Sequence, residues 1–393
     1  MRIKVGTSQK KIDIPPGTPM GGYSARNKPS EGEHDPLHVK SLVISVNDQI
    51  CVITSCDLVG LEKKAIEAVK ARVSQNLNIN TSNILISATH THSGPRNIAI
   101  FGEPFEGFEK IYDLIEQSII QATKSMEPAT LSVSTIAIPE VSFNRRDYDP
   151  SSEFVDNECV VLAIKNQSGE VVCVAYNFAN HPVVMGADNL LITADWVYYA
   201  NNEIKNKFKN ALPLFLQGSC GNLNPINTPL SGTVPKHDFD DCAEIGKPIG
   251  KAVCRGVEES KSFVINEPSG EIKELSIEAD DEDKYEIFTF ADGKVENDTF
   301  TVNTIVQAIA IGDIAFIGIP GEVISKISMD IKQKSPFANT VIIGYANDYI
   351  GYIPTRENYI AGGYEALMMS LSEEEGKIIL DASIDSLEEL KKK

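Results

Sequence analysis

The sequence predicts an α/β fold in which mixed β-sheets carry flanking helices within a single catalytic domain spanning residues 1–393. Three observations carry that prediction. One rhythm occurs three times: strand, tight turn, strand, loop, helix, strand, loop. Apolar residues make up 42% of the chain, enough for a sizeable core. The residues just past the strand ends are Asp57, His90, His92, His181, Gly221 to Asn224, Glu322 and Tyr349 to Tyr352. In open α/β sheets, sites form beyond strand ends, so these groups are expected to assemble into one composite site.

The first unit begins with SLVISVNDQICVITSCD (41–57), read as two strands joined by an Asn-Asp turn. LEKKAIEAVKARVSQNL (61–77) has apolar residues at helical spacing, and NILISATH (83–90) is the third strand. In the second unit CVVLAI and VVCVAYNF flank the turn NQSGE, and the run ends at Asn180-His181. The helix ADWVYYANNEIKNKF follows, with Asp195 near its start, and then the strand PLFLQGSCGN (213–222). The third unit reads TIVQAIAI, Gly312-Asp313, IAFIGIPGE, a helix near 323–333, and TVIIGYAND (340–348). Outside the units, MGGYSARNKPSEGEHDPLH is read as an extended loop and the acidic, turn-rich residues 265–300 as a surface insertion or flap. The tail SEEEGKIILDASIDSLEELKKK is a helix, with Ser372 as N-cap, Glu375 three residues on, and lysines at its end.

Composition excludes some function classes. A net charge of −19 argues against nucleic acid and anionic membrane surfaces as partners, but not against a small neutral or cationic substrate. Seven scattered cysteines without a CxxC pair suit a reducing compartment. No apolar run approaches the roughly 18 residues of a membrane span. The N-terminus has no apolar signal region, so the expected location is cytoplasmic, with no evident membrane anchor.

The chemistry gathers at the strand ends. His90 and His92 form His-x-His after a strand, where a period of two puts both imidazoles on one side of the sheet. That pair is a start for zinc, or a hydrogen-bonded polar loop. His181 alone is more often a satisfied turn residue than a ligand. Glu322 ends a strand expected to be buried, so it needs a partner or a metal, unless it caps the next helix. Together these groups favour a metal centre. The Asp-His pair of metallo-β-lactamase-type sites is missing after His92, the hairpins argue against a barrel amidohydrolase, and no G-x-S-x-G elbow is present.

Longer segments point further: GGYSARNKPSEGEHDPL, NILISATHTHSGP, FNRR (143–146), NFANHPVVMGADNLLITADWVYYA, FLQGSCGNLNP, IPGE and GYANDYIGYIPTRENYIAGGYE. On these the chain resembles the catalytic domain of the neutral/alkaline non-lysosomal ceramidase family, from about residue 10 to residue 365. The resemblance implies one zinc ion (Zn2+) per chain held by His90, His181, Glu322 and Tyr352, with Tyr349 the weaker candidate. It implies a zinc-activated water that attacks an N-acyl carbonyl, hence an amidohydrolase acting on linear amides. His92 is then the acid/base or carbonyl-orienting group, Arg145 holds a substrate oxygen, and Tyr364 donates to the oxyanion. Plainer readings stand beside these. Arg145 and Arg146 are surface charges, Tyr364 only packs, and Asp195 either orients a zinc histidine or caps a helix.

The chain also departs from the family pattern. It carries G-N-L-N-P where ceramide-cleaving members have G-D-x-S-P, so Asn222 replaces an Asp and Asn224 a Ser. Asn224 is expected to hydrogen-bond substrate instead. Arg146-Asp147 alter the second half of the family's N-R-S-P. The chain ends soon after GGYE, so no C-terminal β-sandwich domain is expected. The implied substrate is a lipid-like N-acyl compound, N-acylsphingosine-type first. Smaller N-acyl compounds, esters, or a catalytically impaired ligand-binding relative are the alternatives.

Overall fold

In a computed structural model of the chain, every residue is described except 101, 147–153, 229–237, 282–283, 285–287, 289, 297–298 and the side chain of residue 368. Asp147 and part of the acidic 265–300 segment therefore lie outside the described residues.

The chain opens with a strand that the repeated rhythm did not announce, β1 (Ile3–Lys11), then a two-residue strand β2 (Gly32–Glu33) in the otherwise looped glycine-rich segment. The first unit is β3 (His38–Val46), β4 (Gln49–Cys56), α1 (Lys63–Leu77) and β5 (Ile84–Ala88). Asn47 and Asp48 both take left-handed φ, 47° and 74°, as a two-residue hairpin turn requires. Next come α2 (Glu109–Lys124), β6 (Glu127–Ala137) and β7 (Ser142–Asn144). The second unit is β8 (Glu158–Asn166), β9 (Val171–Phe178), β10 (Leu191–Ile192), α3 (Trp196–Lys207) and β11 (Leu212–Gln217). Then follow β12 (Leu223–Pro225), α4 (Phe239–Glu259), β13 (Ser269–Glu278) and β14 (Gly293–Glu296). The third unit is β15 (Thr299–Ile311), β16 (Ile314–Gly318), β17 (Glu322–Val323), α5 (Ser325–Lys334) and β18 (Asn339–Ile343). The chain closes with β19 (Tyr352–Ile353), α6 (Arg356–Ile360), α7 (Tyr364–Met369) and α8 (Glu375–Lys392).

All three units are wired alike. The hairpin strands pair antiparallel, and after the helix the third strand lies parallel to the second: β5 to β4, β11 to β9, β18 to β16. A parallel neighbour needs a crossover long enough for a helix, and the sequence supplies one each time. The first two units share an eight-stranded sheet, β11-β9-β8-β6-β1-β3-β4-β5, and the third builds β13-β15-β16-β18 with β14 beside β15. The acidic segment is thus more than a surface insertion: β13 pairs with β15 from Ser269↔Ala310 to Glu278↔Thr301. It is an edge strand with most side chains half exposed, which is why its composition reads as surface.

The third strands converge. Ser55 Oγ on β4 donates to Phe215 O on β11 at 2.6 Å. Gly344 N donates to Gln217 O at 3.0 Å, and Ala88 N to Tyr345 O at 3.0 Å. Most unit strands are buried on both faces, with successive residues entering two different cores. Leu42, Ile44, Ile53, Leu85, Leu214, Phe316 and Ile343 enter one core, which the strands build among themselves. Val43, Val52, Ile86, Phe215 and Ile317 enter the larger one with helical residues such as Ile66, Val69, Ile115 and Ile249. Two buried faces explain the continuous apolar runs of the sequence. The final helix starts later than its sequence signal: Glu374 occupies the cap position, and Glu375 instead accepts from Leu371 N at 3.0 Å. No described helix is long and apolar enough to cross a membrane.

Candidate active site

Beyond β5 the chain keeps pairing: Thr89 N donates to Cys56 O and His90 N to Leu58 O, both at 2.8 Å. His90 then turns with φ 65°, so a left-handed turn, rather than strand alternation, brings His92 beside it. His90 Nδ1 lies 2.6 Å from Val59 O, and a carbonyl only accepts. The proton therefore sits on Nδ1, and Nε2 presents a lone pair. His92 Nε2 lies 2.9 Å from that Nε2. Buried Arg26 grips the His92 and Gly21 carbonyls, both at 2.7 Å, so the glycine-rich segment wraps this turn from behind.

His181 follows β9 and is oriented the same way, with Nδ1 3.1 Å from Leu223 O. Trp196 Nε1 donates to the His181 carbonyl at 3.0 Å. Asp195 reaches neither ring. It accepts from Trp196 N, Met185 N and Val184 N at 2.7, 2.9 and 3.3 Å, capping α3 and pinning the loop after His181. Burial pushes its carboxyl up to about 6 against these three N–H groups.

Glu322 stands on β17, opposite Tyr352 of β19 in a parallel pair, so the two side chains share a face. The neighbouring loop comes very close: a Cβ on Gly221 would lie 2.4 Å from Glu322 O, so only glycine fits there. Glu322 Oε2 lies 3.1 Å from His181 Nε2 and 3.4 Å from His90 Nε2, while Oε1 accepts from the Tyr349 hydroxyl at 2.5 Å. Two ligand atoms about 2.0–2.1 Å from a tetrahedral zinc stand about 3.3 Å apart. The observed separations bracket that spacing, and the imidazole lone pairs point inward, so the donor set fits one divalent ion. Ligand atoms of His90, His92 and His181 all lie within 4.8 Å of one another. Burial pushes the His92 and His181 imidazoles down, well so for His92, which keeps them neutral.

The mouth is a second cluster. β7 pairs with β12, Asn144↔Leu223 and Phe143↔Asn224, which delivers Arg145 beside Tyr352. Arg145 is no surface charge. It donates to Glu365 Oε1 at 2.8 Å, Gly221 O at 2.6 Å, the Tyr352 hydroxyl at 3.1 Å and Asn224 Oδ1 at 3.4 Å. Tyr364 meets Tyr352 edge to face, ring centroids 5.7 Å apart, and lies 5.6 Å from the Arg145 guanidinium carbon. At 52% exposure it stands at the opening.

Of the sequence-picked residues, His90, His92, His181 and Glu322 meet directly. Tyr352 adjoins through its strand pairing, Arg145 and Tyr364 contact Tyr352, and Asn224 meets Arg145. Asp57 does not join them; it closes its own hairpin by accepting from His38 N at 2.9 Å. Asn222 faces α5, where it accepts from Ser325 N at 2.7 Å. Sequence reasoning assigned no role to Arg26, to Glu365, or to Tyr345, whose ring stacks on His90 at 4.0 Å. Their partners are distant in sequence, and only the quoted segments around them were a signal.

Comparisons with known proteins bear on the family and the fold. The family model described as neutral/alkaline non-lysosomal ceramidase, N-terminal, matches residues 4–264. The neutral ceramidase of Pseudomonas aeruginosa is 26% identical over 254 residues, which is 58% of this chain and 38% of that protein. Neutral ceramidase B of Dictyostelium discoideum is 33% identical over 138 residues, 30% of this chain and 19% of that protein. The matched stretch thus spans well under half the length of these relatives. The crystal structure of the Pseudomonas aeruginosa neutral ceramidase superposes with a TM-score of 0.85 at 20% identity, covering 100% of this chain and 75% of that one. A ceramidase complexed with C2 does so with a TM-score of 0.84 at 19% identity.

Proposed function

Because the chain belongs to the neutral/alkaline non-lysosomal ceramidase family, we propose that it is a zinc-dependent hydrolase that cleaves the amide bond of an N-acyl, lipid-like substrate. The observation that carries this reading is the convergence of two imidazole nitrogens and one carboxylate oxygen at 3.1–3.4 Å. His90, His181 and Glu322 would hold the ion, with Tyr352 the fourth ligand. A zinc ion bound there supplies a water activated near neutral pH and polarises the acyl carbonyl.

The other side chains have separable tasks. Neutral His92 exchanges a proton with the attacking water or the leaving amine, and its buried Nδ1 has no hydrogen-bond partner among the described residues. Arg145 fixes the Tyr352 hydroxyl and the Asn224 amide, which faces the substrate. The Tyr364 hydroxyl donates to the acyl oxygen as negative charge develops there. Burial of His90, His181 and Glu322 excludes bulk water, which strengthens each of these interactions. No nucleophile is needed at position 224, so Asn224 is compatible with hydrolysis. Asn224 also favours a second reading, a protein that binds such a ligand without cleaving it.

The test is a panel of N-acyl amides, from N-acylsphingosine to short-chain fluorogenic amides, with Glu322→Ala and a chelator as controls. Turnover that needs both Glu322 and metal is the expected result. Tight binding of the same compounds without turnover would replace hydrolysis by the binding reading.

A further inference from the structure

Arg146 sits next to Arg145, yet it touches none of the metal-ligand set. Its side chain is only 14% exposed. Nη1 donates to Glu365 Oε2 at 2.6 Å, and Nη2 donates to Gly362 O at 2.7 Å and Asn358 O at 3.2 Å. Its own backbone N–H is fixed by Asn144 Oδ1 at 3.1 Å. These contacts join three elements: the end of β7, the last turn of α6 and the first turn of α7.

Their placement along the chain is specific. Gly362 and Glu365 flank Tyr364, and Arg146 grips both. The link between α6 and α7 is Gly362-Gly363, with φ 72° and 95°, a conformation that glycine adopts freely and leaves just as freely. Glu365 is almost fully buried and shared, one oxygen on each arginine, so the position of Arg146 is also tied to that of Arg145. A fork with two donor arms suits this geometry, whereas a single ammonium cannot span a carboxylate and two carbonyls.

We propose that Arg146 is a positioning residue that latches the Gly362-Gly363 link and thereby sets Tyr364 over the metal site. This rests on the amide-hydrolase reading for its catalytic consequence, but not for the latch itself. Arg146 acts through Tyr364 and does not touch the reacting atoms.

Two measurements test it. In hydrogen exchange, Arg146→Ala should speed exchange across 356–369 by about fivefold or more, with peptides holding His90 and His181 unchanged. In kinetics, Arg146→Ala should lower kcat about tenfold with little change in KM, the cost of a slightly misplaced donor. Arg146→Ala combined with Tyr364→Phe should then be no slower than Tyr364→Phe alone. Losses that multiply in the double variant would overturn the route through Tyr364. Unchanged exchange across 356–369 would overturn the latch whatever the substrate is. If the wild type cleaves no amide, the amide reading fails and the exchange measurement still decides on Arg146.

Discussion

His90 and His181 are each held by a backbone carbonyl, Val59 O and Leu223 O, whereas Arg145, Arg146 and Glu365 at the mouth hold one another. The first arrangement depends on where two sheets place their strand ends. It shifts only if the sheets shift. The second depends above all on Glu365, because removing it leaves two arginines that are largely out of water without their shared carboxylate. The centre is therefore expected to lose chemistry without losing the fold, and the mouth to lose fold and chemistry together.

Substitutions can break that contrast, and the largest effect belongs to the centre. Glu322→Ala or His181→Ala should abolish metal retention and lower activity on the order of a thousandfold, while thermal unfolding without added metal changes little. Elemental analysis of protein purified without a metal-affinity column reads the first effect. A full zinc complement in either variant would remove that residue from the ligand set. At the mouth, Glu365→Ala should lower unfolding free energy by about 3 kcal/mol, since two arginines lose their shared partner. Urea denaturation measures it, and a change below about 1 kcal/mol would make the cluster a surface network instead.

A third variant probes the rear of the mouth. Glu375 is fully buried at the start of α8, just past α7 in the chain, and burial pushes its carboxyl up to about 8. Between about pH 4.5 and pH 8 the folded chain keeps a proton that the unfolded chain has released. The contribution of this group to stability therefore falls as pH rises across that window. Glu375→Gln should remove the fall, gaining about 3 kcal/mol on the wild type between pH 5 and pH 7.5. Parallel stability profiles for the two proteins would contradict this.

The smallest effect sharpens the comparison, because it concerns tyrosines where the two regions meet. Tyr352 bonds to Arg145 and Tyr349 to Glu322. Tyr352→Phe should weaken zinc binding about tenfold and Tyr349→Phe less than about threefold, if Tyr352 is the ligand and Tyr349 only a hydrogen-bond donor. The reverse ranking, read by competition with a chelator, would move the ligand role to Tyr349.

The same division marks what the sequence could reveal. The three units were legible because their strands feed two cores, so runs such as VVCVAYNF and IAFIG admit no other packing. His181 and Glu322 were legible because a ligand-type side chain after such a run has few inexpensive reasons to be there. Asp57 met the same criterion and failed, because a strand end also needs groups that close its own hairpin. β13 was obscured by acidic residues on an edge strand, whose open side favours charge. The approach of His92 to His90 was expected, but for a different reason: it depends on a turn at one residue, not on a strand period. Glu365 could not be found by pattern at all, since the arginines that account for its burial lie 219 and 220 residues away.

That turn at His90 has a further consequence. A side chain other than glycine at φ 65° carries roughly 1 kcal/mol of backbone strain. Glycine would relieve it, forfeiting one hydrogen bond to Val59 and a stacked ring on Tyr345. The contacts of its Nε2 to His92 and Glu322 would go too, and the buried ring would leave a cavity, so the substitution would cost more than the strain it relieves. Any engineering of this chain toward higher melting temperature should therefore hold position 90 fixed, because the ring that strains the backbone there also fills the space between the strand ends.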